Sequence, residues 1–277
     1  MIDRLLPLIL IVGTALGEYN QILGVRYFYY ASASYCHPDS ITMWTCSFCS
    51  VPNVTALVIY DKPTDTQAYV GFENATNSIV VAFRGTDLLS LPNWIEDLSI
   101  GESRDYNKCS GCKVDRGFLK AHDAVKDQVS QTIDMMFELY PDASLVITGH
   151  SLGGALAVLA ATDLALTRSN TSISLYTYGC PRVGNAQFAG YFDELGVTSY
   201  RIVHWGDPVA RLPPQALHYE HVETQIWYNS DNTNYEVCNG NEDPTCSDKL
   251  LFNPLDLVDH LTYMHIDFMP KWLQCKV

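Results

Sequence analysis

Gly149-His150-Ser151-Leu152-Gly153 sits between a short apolar run, Leu145, Val146 and Ile147, and a long alanine- and leucine-rich stretch from Leu152 to Ala165. The order is strand, tight turn, helix, which few chain arrangements satisfy. A serine on such a turn is pushed into a strained, exposed position at the top of a sheet, where its hydroxyl can attack a carbonyl. The helix behind it offers backbone N–H groups to the oxyanion that forms. Glycines two before and two after the serine let neighbouring backbones pass close by. Ser151 is therefore a candidate nucleophile.

The flanking segments extend this unit into a fold. Ala56 to Tyr60, Ala68 to Phe72 and Ser78 to Phe83 read as strands, the last an apolar run of the kind buried on both faces. Phe118 to Tyr140 has helical periodicity, with Phe118, Ala121, Val125, Val129, Ile133 and Phe137 near one face and Pro141 after its end. Strand Leu145 to Thr148, helix Leu152 to Thr167, strand Ile173 to Tyr178, a helix-like Asn185 to Leu195 and strand Ser199 to His204 follow. Such alternation predicts an α/β fold: a mostly parallel sheet with helices on both faces and an antiparallel edge from the first strands. Ligands of these sheets bind beyond the carboxyl ends of the strands, where Ser151 falls.

Met1 to Gly17 opens with Asp3 and Arg4, runs apolar from Leu5 to Val12 and ends Ala15-Leu16-Gly17. This reads as a secretory signal, too short to span a bilayer, followed by a single domain over residues 18–277. Secretion makes disulfides the default for the nine cysteines, Cys36, Cys46, Cys49, Cys109, Cys112, Cys180, Cys238, Cys246 and Cys275. Cys46 with Cys49, and Cys109 with Cys112, have C-x-x-C spacing that zinc or redox sites also use, but no histidines are interspersed at zinc-like spacing, so no metal is expected. Nine is odd, and Cys180 is the choice for a buried free thiol. Sequons begin at Asn53, Asn74 and Asn170, in turn-like surroundings suited to glycosylation. Thirty-one acidic against seventeen basic residues give a net charge of −14. With no basic cluster, nucleic acid and strongly anionic membranes are poor partners.

A serine nucleophile needs an imidazole to take its proton and a buried carboxylate to orient that imidazole. In a fold of this kind the chain order is serine, acid, histidine. Asp207 follows the strand ending at His204 and is the candidate acid; Asp193, Glu194, Asp256, Asp259 and Asp267 compete less well by position. Four histidines follow it. His218 and His221 fall in a segment resembling an outer strand, and His260 and His265 lie near the C-terminus. The residues alone leave His260 and His265 open.

Phe83-Arg84-Gly85-Thr86, Gly149 to Gly154, Tyr178-Gly179-Cys180-Pro181-Arg182-Val183-Gly184-Asn185, Asp207-Pro208-Val209 with Leu212-Pro213-Pro214, and Asp259-His260-Leu261-Thr262-Tyr263 resemble, in order, the landmarks of the fungal-type class 3 lipase family. The resemblance covers roughly residues 20–277. It implies the α/β-hydrolase fold, with Ser151 as nucleophile, Asp207 as acid and His260 rather than His265 as base. It also implies an oxyanion hole from Thr86, by its N–H and hydroxyl, and the N–H of Leu152, with Asp97 steadying the hole when the enzyme opens. The family's cysteine pattern implies Cys36 with Cys275, Cys46 with Cys49, and Cys238 with Cys246. Cys109 with Cys112 is less general and is similar to a loop pair of the feruloyl-esterase branch. Val209, Leu212 and the segment Leu255 to Val258 are its candidates for the acyl pocket.

Between Thr86 and the next element lie Leu88, Leu89, Leu91, Trp94, Ile95 and Leu98, too many apolar side chains for an ordinary surface loop. An amphipathic lid that covers the site in water and turns its apolar face to a lipid interface fits them. This lid is two residues longer than the family's and contains Pro92. The resemblance thus implies a secreted triacylglycerol lipase, monomeric and free of cofactors, that makes transient contact with a membrane or emulsion surface. Phospholipase A1, partial-glyceride lipase and feruloyl esterase are alternatives, the last disfavoured by the apolar lid. A noncatalytic binding role is disfavoured because Ser151, Asp207, His260 and Thr86 all stand in place.

Overall fold

A computed structural model describes residues 18–51, 54–253 and 257–275, with only the backbone of residues 99 and 100. The expected signal segment, Asn53 and Leu255 lie outside the described residues. In chain order, α1 (Gln21–Ala33) and α2 (Pro38–Thr42) lead into β1 (Val54–Asp61), β2 (Thr66–Glu73) and β3 (Ser78–Phe83). Most of the segment expected to form a lid falls in α3 (Leu91–Ile100), followed by the hairpin β4 (Ser103–Asp105) and β5 (Lys113–Asp115), then α4 (Arg116–Leu139). Next come β6 (Ser144–His150), α5 (Leu152–Thr167), β7 (Ile173–Tyr178), α6 (Ala186–Asp193) and β8 (Thr198–His204). The chain ends with β9 (Gln225–Tyr228), β10 (Tyr235–Val237), the short pair β11 (Thr262–Tyr263) and β12 (Ile266–Asp267), and α7 (Phe268–Cys275).

Eight strands form one sheet in the order β1-β2-β3-β6-β7-β8-β9-β10. From β3 to β9 neighbours run parallel; β1, β2 and β10 are antiparallel additions at the edges. One apolar layer, carrying Val125, Val129 and Ile133 of α4 and Leu156 and Leu159 of α5, covers one face. Phe28 of α1 and Phe268 and Trp272 of α7 belong to the layer that covers the other. The predicted parallel sheet, its helices on both faces and its antiparallel first strands are all present; the antiparallel β10 edge is additional.

Two local expectations are corrected. His218 and His221 are not in a strand: His218 adopts a left-handed conformation after a short turn, and only an isolated bridge, Gly184 with Glu220, forms there. The next strand, β9, begins only at Gln225, where four successive residues are buried. On α4 the buried face is Phe118, His122, Val125, Val129, Ile133 and Met136, while Ala121 and Phe137 are only partly buried. Steps of three and four keep that face on one line, and an apolar-only reading passes over the buried His122.

Helix starts show how the site is prepared. Asn20 caps α1, Asp115 caps α4 and Asn185 caps α6, each through its side-chain oxygen. At α5 the N-cap residue is Ser151, whose side chain makes no capping bond. The Gly154 N–H donates to the Ser151 main-chain carbonyl at 2.9 Å, so the first N–H of α5, that of Leu152, is left to donate to a ligand.

Candidate active site

Parallel pairing sets Phe83 opposite Gly149 and Tyr178 opposite Ile202, so β3, β6, β7 and β8 end side by side. Thr86 lies three residues past the end of β3, Ser151 one past β6, and Asp207 three past β8. His260 arrives from the far end of the chain on a short turn, Asp259–Leu261. Asp259 fastens that turn to the acid loop, its Oδ2 accepting from the Gly206 N–H at 3.0 Å.

Ser151 has φ 60° and ψ −133°, a region a non-glycine residue occupies only when its surroundings hold it there. Its N–H donates to the Tyr178 carbonyl at 2.9 Å, and α5 begins at once behind it. A Cβ on Gly153 would stand 2.2 Å from the Phe83 carbonyl oxygen, so only glycine lets α5 lie this close to the end of β3. That contact brings the N-terminus of α5 beside the turn carrying Thr86. Gly179 has φ +55°, and a Cβ there would meet Asp207 Oδ2 at 2.5 Å and His260 Nδ1 at 2.7 Å.

His260 Nδ1 lies 3.0 and 2.9 Å from the two carboxylate oxygens of Asp207. Asp207 Oδ1 also accepts from the Val209 N–H at 2.8 Å, and Oδ2 accepts from the Tyr263 hydroxyl. Burial by itself would raise the Asp207 pKa, but the neighbouring His260, as charge and as donor, and the Tyr263 hydrogen bond hold it below the ordinary carboxylate value. Burial first, and then the Asp207 charge, push the Tyr263 hydroxyl well up, so it serves as donor. An ionised carboxylate facing Nδ1 fixes the proton there and leaves Nε2 as the base.

Ser151 Oγ, His260 Nε2 and Thr86 Oγ1 are among the buried polar side-chain atoms without a hydrogen-bond partner. Buried polar groups are nearly always paired, so three unpaired groups from residues at neighbouring strand ends mark a place where a reacting group docks. Ser151 is 1% exposed and His260 0%. In α3, Leu91, Ile95 and Leu98 are buried in the core layer that also holds Phe118, and Trp94 lies with its ring centroid 6.3 Å from that of Phe118. Leu88 is partly buried, Leu89 is 84% exposed, and Gly101 ends the helix at φ 64°. An open groove of about 570 Å³ runs between α3 and the start of α4 and reaches Leu152. Asp97 lies exposed on its wall; the Thr86 hydroxyl has no hydrogen-bond partner, so Asp97 does not bond it in this structure.

The other candidates separate by location. His265 is exposed in the turn between β11 and β12; His221 is buried with Nε2 at 2.7 Å from the Ala210 carbonyl; His204 Nδ1 lies 3.1 Å from the Asp259 carbonyl. Val209 and Leu212 are buried beside Asp207's loop, and Val258 is 68% exposed. Disulfides join Cys36 to Cys275, Cys46 to Cys49, Cys109 to Cys112 and Cys238 to Cys246, leaving Cys180 free and buried. Among the described residues one group has metal-ligand proximity, Cys238, Asp243 and Cys246, and its two sulfurs are bonded to each other. Asn74 and Asn170 are exposed. Sequence reasoning missed Tyr263, Tyr35 and His150 as site members. Tyr263, three residues after His260, carried a signal in its spacing; Tyr35 carried none.

Residues 80–217 match the class 3 lipase family. The secreted mono- and diacylglycerol lipase 1 of Fusarium solani is 33% identical over 252 residues, which span 86% of this chain and 74% of that protein. The lipase of Rhizopus microsporus var. chinensis superposes with a TM-score of 0.81 at 34% identity, covering 89% of this chain and 87% of that one. The triacylglyceride lipase of Rhizomucor miehei does so with a TM-score of 0.82 at 31% identity, covering 91% and 97%.

Proposed function

Because this chain belongs to the class 3 lipase family, we propose that it hydrolyses glyceride esters at a lipid–water interface, with triacylglycerols as substrates. The observation that carries this reading is the trio of unpaired buried atoms, Ser151 Oγ, His260 Nε2 and Thr86 Oγ1, at neighbouring strand ends. In the reaction, Ser151 Oγ attacks the ester carbonyl as His260 Nε2 takes its proton. Asp207 keeps the imidazole in the required tautomer and stabilises the imidazolium. The oxyanion takes hydrogen bonds from the Thr86 N–H and hydroxyl and the Leu152 N–H, donors that are fixed before the charge develops. His260 then gives the proton to the leaving alcohol. Water, deprotonated by the same nitrogen, attacks the acyl-enzyme and releases the fatty acid.

The buried apolar side chains of α3 support action at an interface. Its leucine and isoleucine side chains are buried in this structure; a lipid surface would accept that face and allow the site to open. The similarity to a mono- and diacylglycerol lipase favours a second reading, in which partial glycerides are the better substrates. We also read the chain as secreted and monomeric. The secreted name of the Fusarium relative and the disulfides support export. A fluorophosphonate probe tests the chemistry: it should label the folded protein at Ser151 and leave Ser151→Ala unlabelled. Equal labelling of both would remove Ser151 from the nucleophile's role.

A further inference from the structure

His150 is fully buried and touches both the nucleophile turn and the base. It immediately precedes Ser151, its Nε2 lies 2.8 Å from the main-chain carbonyl of His260, and its Nδ1 lies 2.9 Å from the Tyr35 hydroxyl. Its ring centroid is 4.5 Å from that of His260.

A carbonyl oxygen only accepts, so Nε2 must carry a proton. In a neutral ring Nδ1 is then an acceptor, and the Tyr35 hydroxyl donates to it. Burial, and then the charge of the adjacent His260, depress the His150 pKa to about 3, which keeps the ring neutral over the range where esters are hydrolysed enzymatically. His150 thus neither carries charge nor exchanges the reaction's proton.

The turn holding the base needs such a contact. Two successive carbonyls there, those of Asp259 and His260, are each met by a buried imidazole: His204 Nδ1 at 3.1 Å and His150 Nε2 at 2.8 Å. His204 ends β8, which leads to Asp207, and His150 ends β6, which leads to Ser151. The base therefore hangs from the strands carrying its two partners. The hydrogen bonds to Asp207 orient the ring of His260 but do not by themselves fix its distance from Ser151.

We propose that His150 is a positioning residue: its Nε2–H tethers the main chain of His260 and sets the approach of His260 Nε2 to Ser151. This rests on the assignment of Ser151 and His260 given above. Glutamine places an amide N–H as many bonds from Cα as Nε2 of histidine, whereas asparagine reaches only as far as Nδ1. His150→Gln therefore keeps the tether and His150→Asn loses it.

The test is steady-state hydrolysis of p-nitrophenyl butyrate by the wild type, His150→Gln, His150→Asn and Ser151→Ala, with thermal unfolding of each. A displaced base costs about a hundredfold in rate. The tether predicts such a fall in kcat for His150→Asn at little changed KM, and recovery of most of it in His150→Gln. Equal kcat values for the two variants, with Ser151→Ala inactive, overturn the tether and leave the catalytic reading standing. An active Ser151→Ala overturns both. Nitrogen NMR of wild-type protein labelled in histidine provides a second test that needs no folded variant. The His150 ring should show a protonated Nε2 and a bare Nδ1 from about pH 5 to 8, with the ordinary histidine pKa of about 6.5 inside that window; a proton on Nδ1 or a cationic ring contradicts the tether.

Discussion

The Tyr263 hydroxyl donates to the same Asp207 oxygen that faces His260 Nδ1 at 2.9 Å. The buried carboxylate thus takes three kinds of donor: a phenol, an imidazole and the Val209 amide. A hydrogen bond to a charged group contributes about 1.5–3 kcal/mol, so its removal is measurable.

Tyr263→Phe should lower kcat about tenfold and cost stability in that range. The pH dependence has a definite sign. The Asp207 pKa is depressed in the fold, so its contribution is present above the unfolded carboxylate value and is lost as pH falls through the folded one. The Tyr263→Phe penalty should therefore be largest near neutrality and fade in acid. Urea unfolding at about pH 7 and about pH 3, either side of the ordinary aspartate value of about 3.9, checks it. A penalty that grows in acid would contradict the assignment.

Thr86→Ala removes the one buried hydroxyl at the oxyanion position that lacks a partner. Loss of such a donor typically lowers kcat by about a hundredfold or more. KM on a soluble ester should change little, and Thr86→Ser should keep most of the rate. Unchanged kcat in Thr86→Ala would remove the hydroxyl from the mechanism.

Leu91 and Ile95 hold α3 down, at 1% and 4% exposure. Burying each such side chain contributes roughly 1.5–3 kcal/mol, so Leu91→Ser with Ile95→Ser should favour the open site in water. The expected readout is a rise in hydrolysis of dissolved short-chain ester, with less extra stimulation on adding emulsion. A variant with wild-type stimulation would mean that α3 is a fixed part of the core.

Cys180 packs against Gly154 under α5, and burial raises its thiol pKa to about 12. It should resist an aromatic disulfide reagent in the native protein at about pH 8, where a free cysteine, with a pKa of about 8.5, reacts readily. One thiol should appear on unfolding without reductant. Fast native labelling would show that the thiol is exposed or that a disulfide is open.

Much of this site is written locally. The apolar run, the turn glycines and the alanine-rich helix around Ser151 specify its strand, turn and helix without help from the rest of the chain. The burial in α3 also shows locally, because Leu88 to Leu98 is too apolar for a surface loop. His260 and His265 could not be told apart by residue type or spacing, since each follows the acid in the chain. What separates them is tertiary: one carbonyl is held by His150, while the other residue sits in an exposed turn. Tyr35 was hidden for the same reason, reaching His150 across 115 residues of chain. His122 was overlooked because a polar residue on a core face breaks an apolar count while keeping helical period.

The central claim is that Ser151, beneath an apolar lid, cleaves glyceride esters at an interface. Fatty-acid release from an emulsified long-chain triacylglycerol, titrated at constant pH with Ser151→Ala as blank, tests it most directly. The account predicts rapid release by the wild type and none by Ser151→Ala. No release from the emulsion by a protein that hydrolyses a soluble short-chain ester would contradict it.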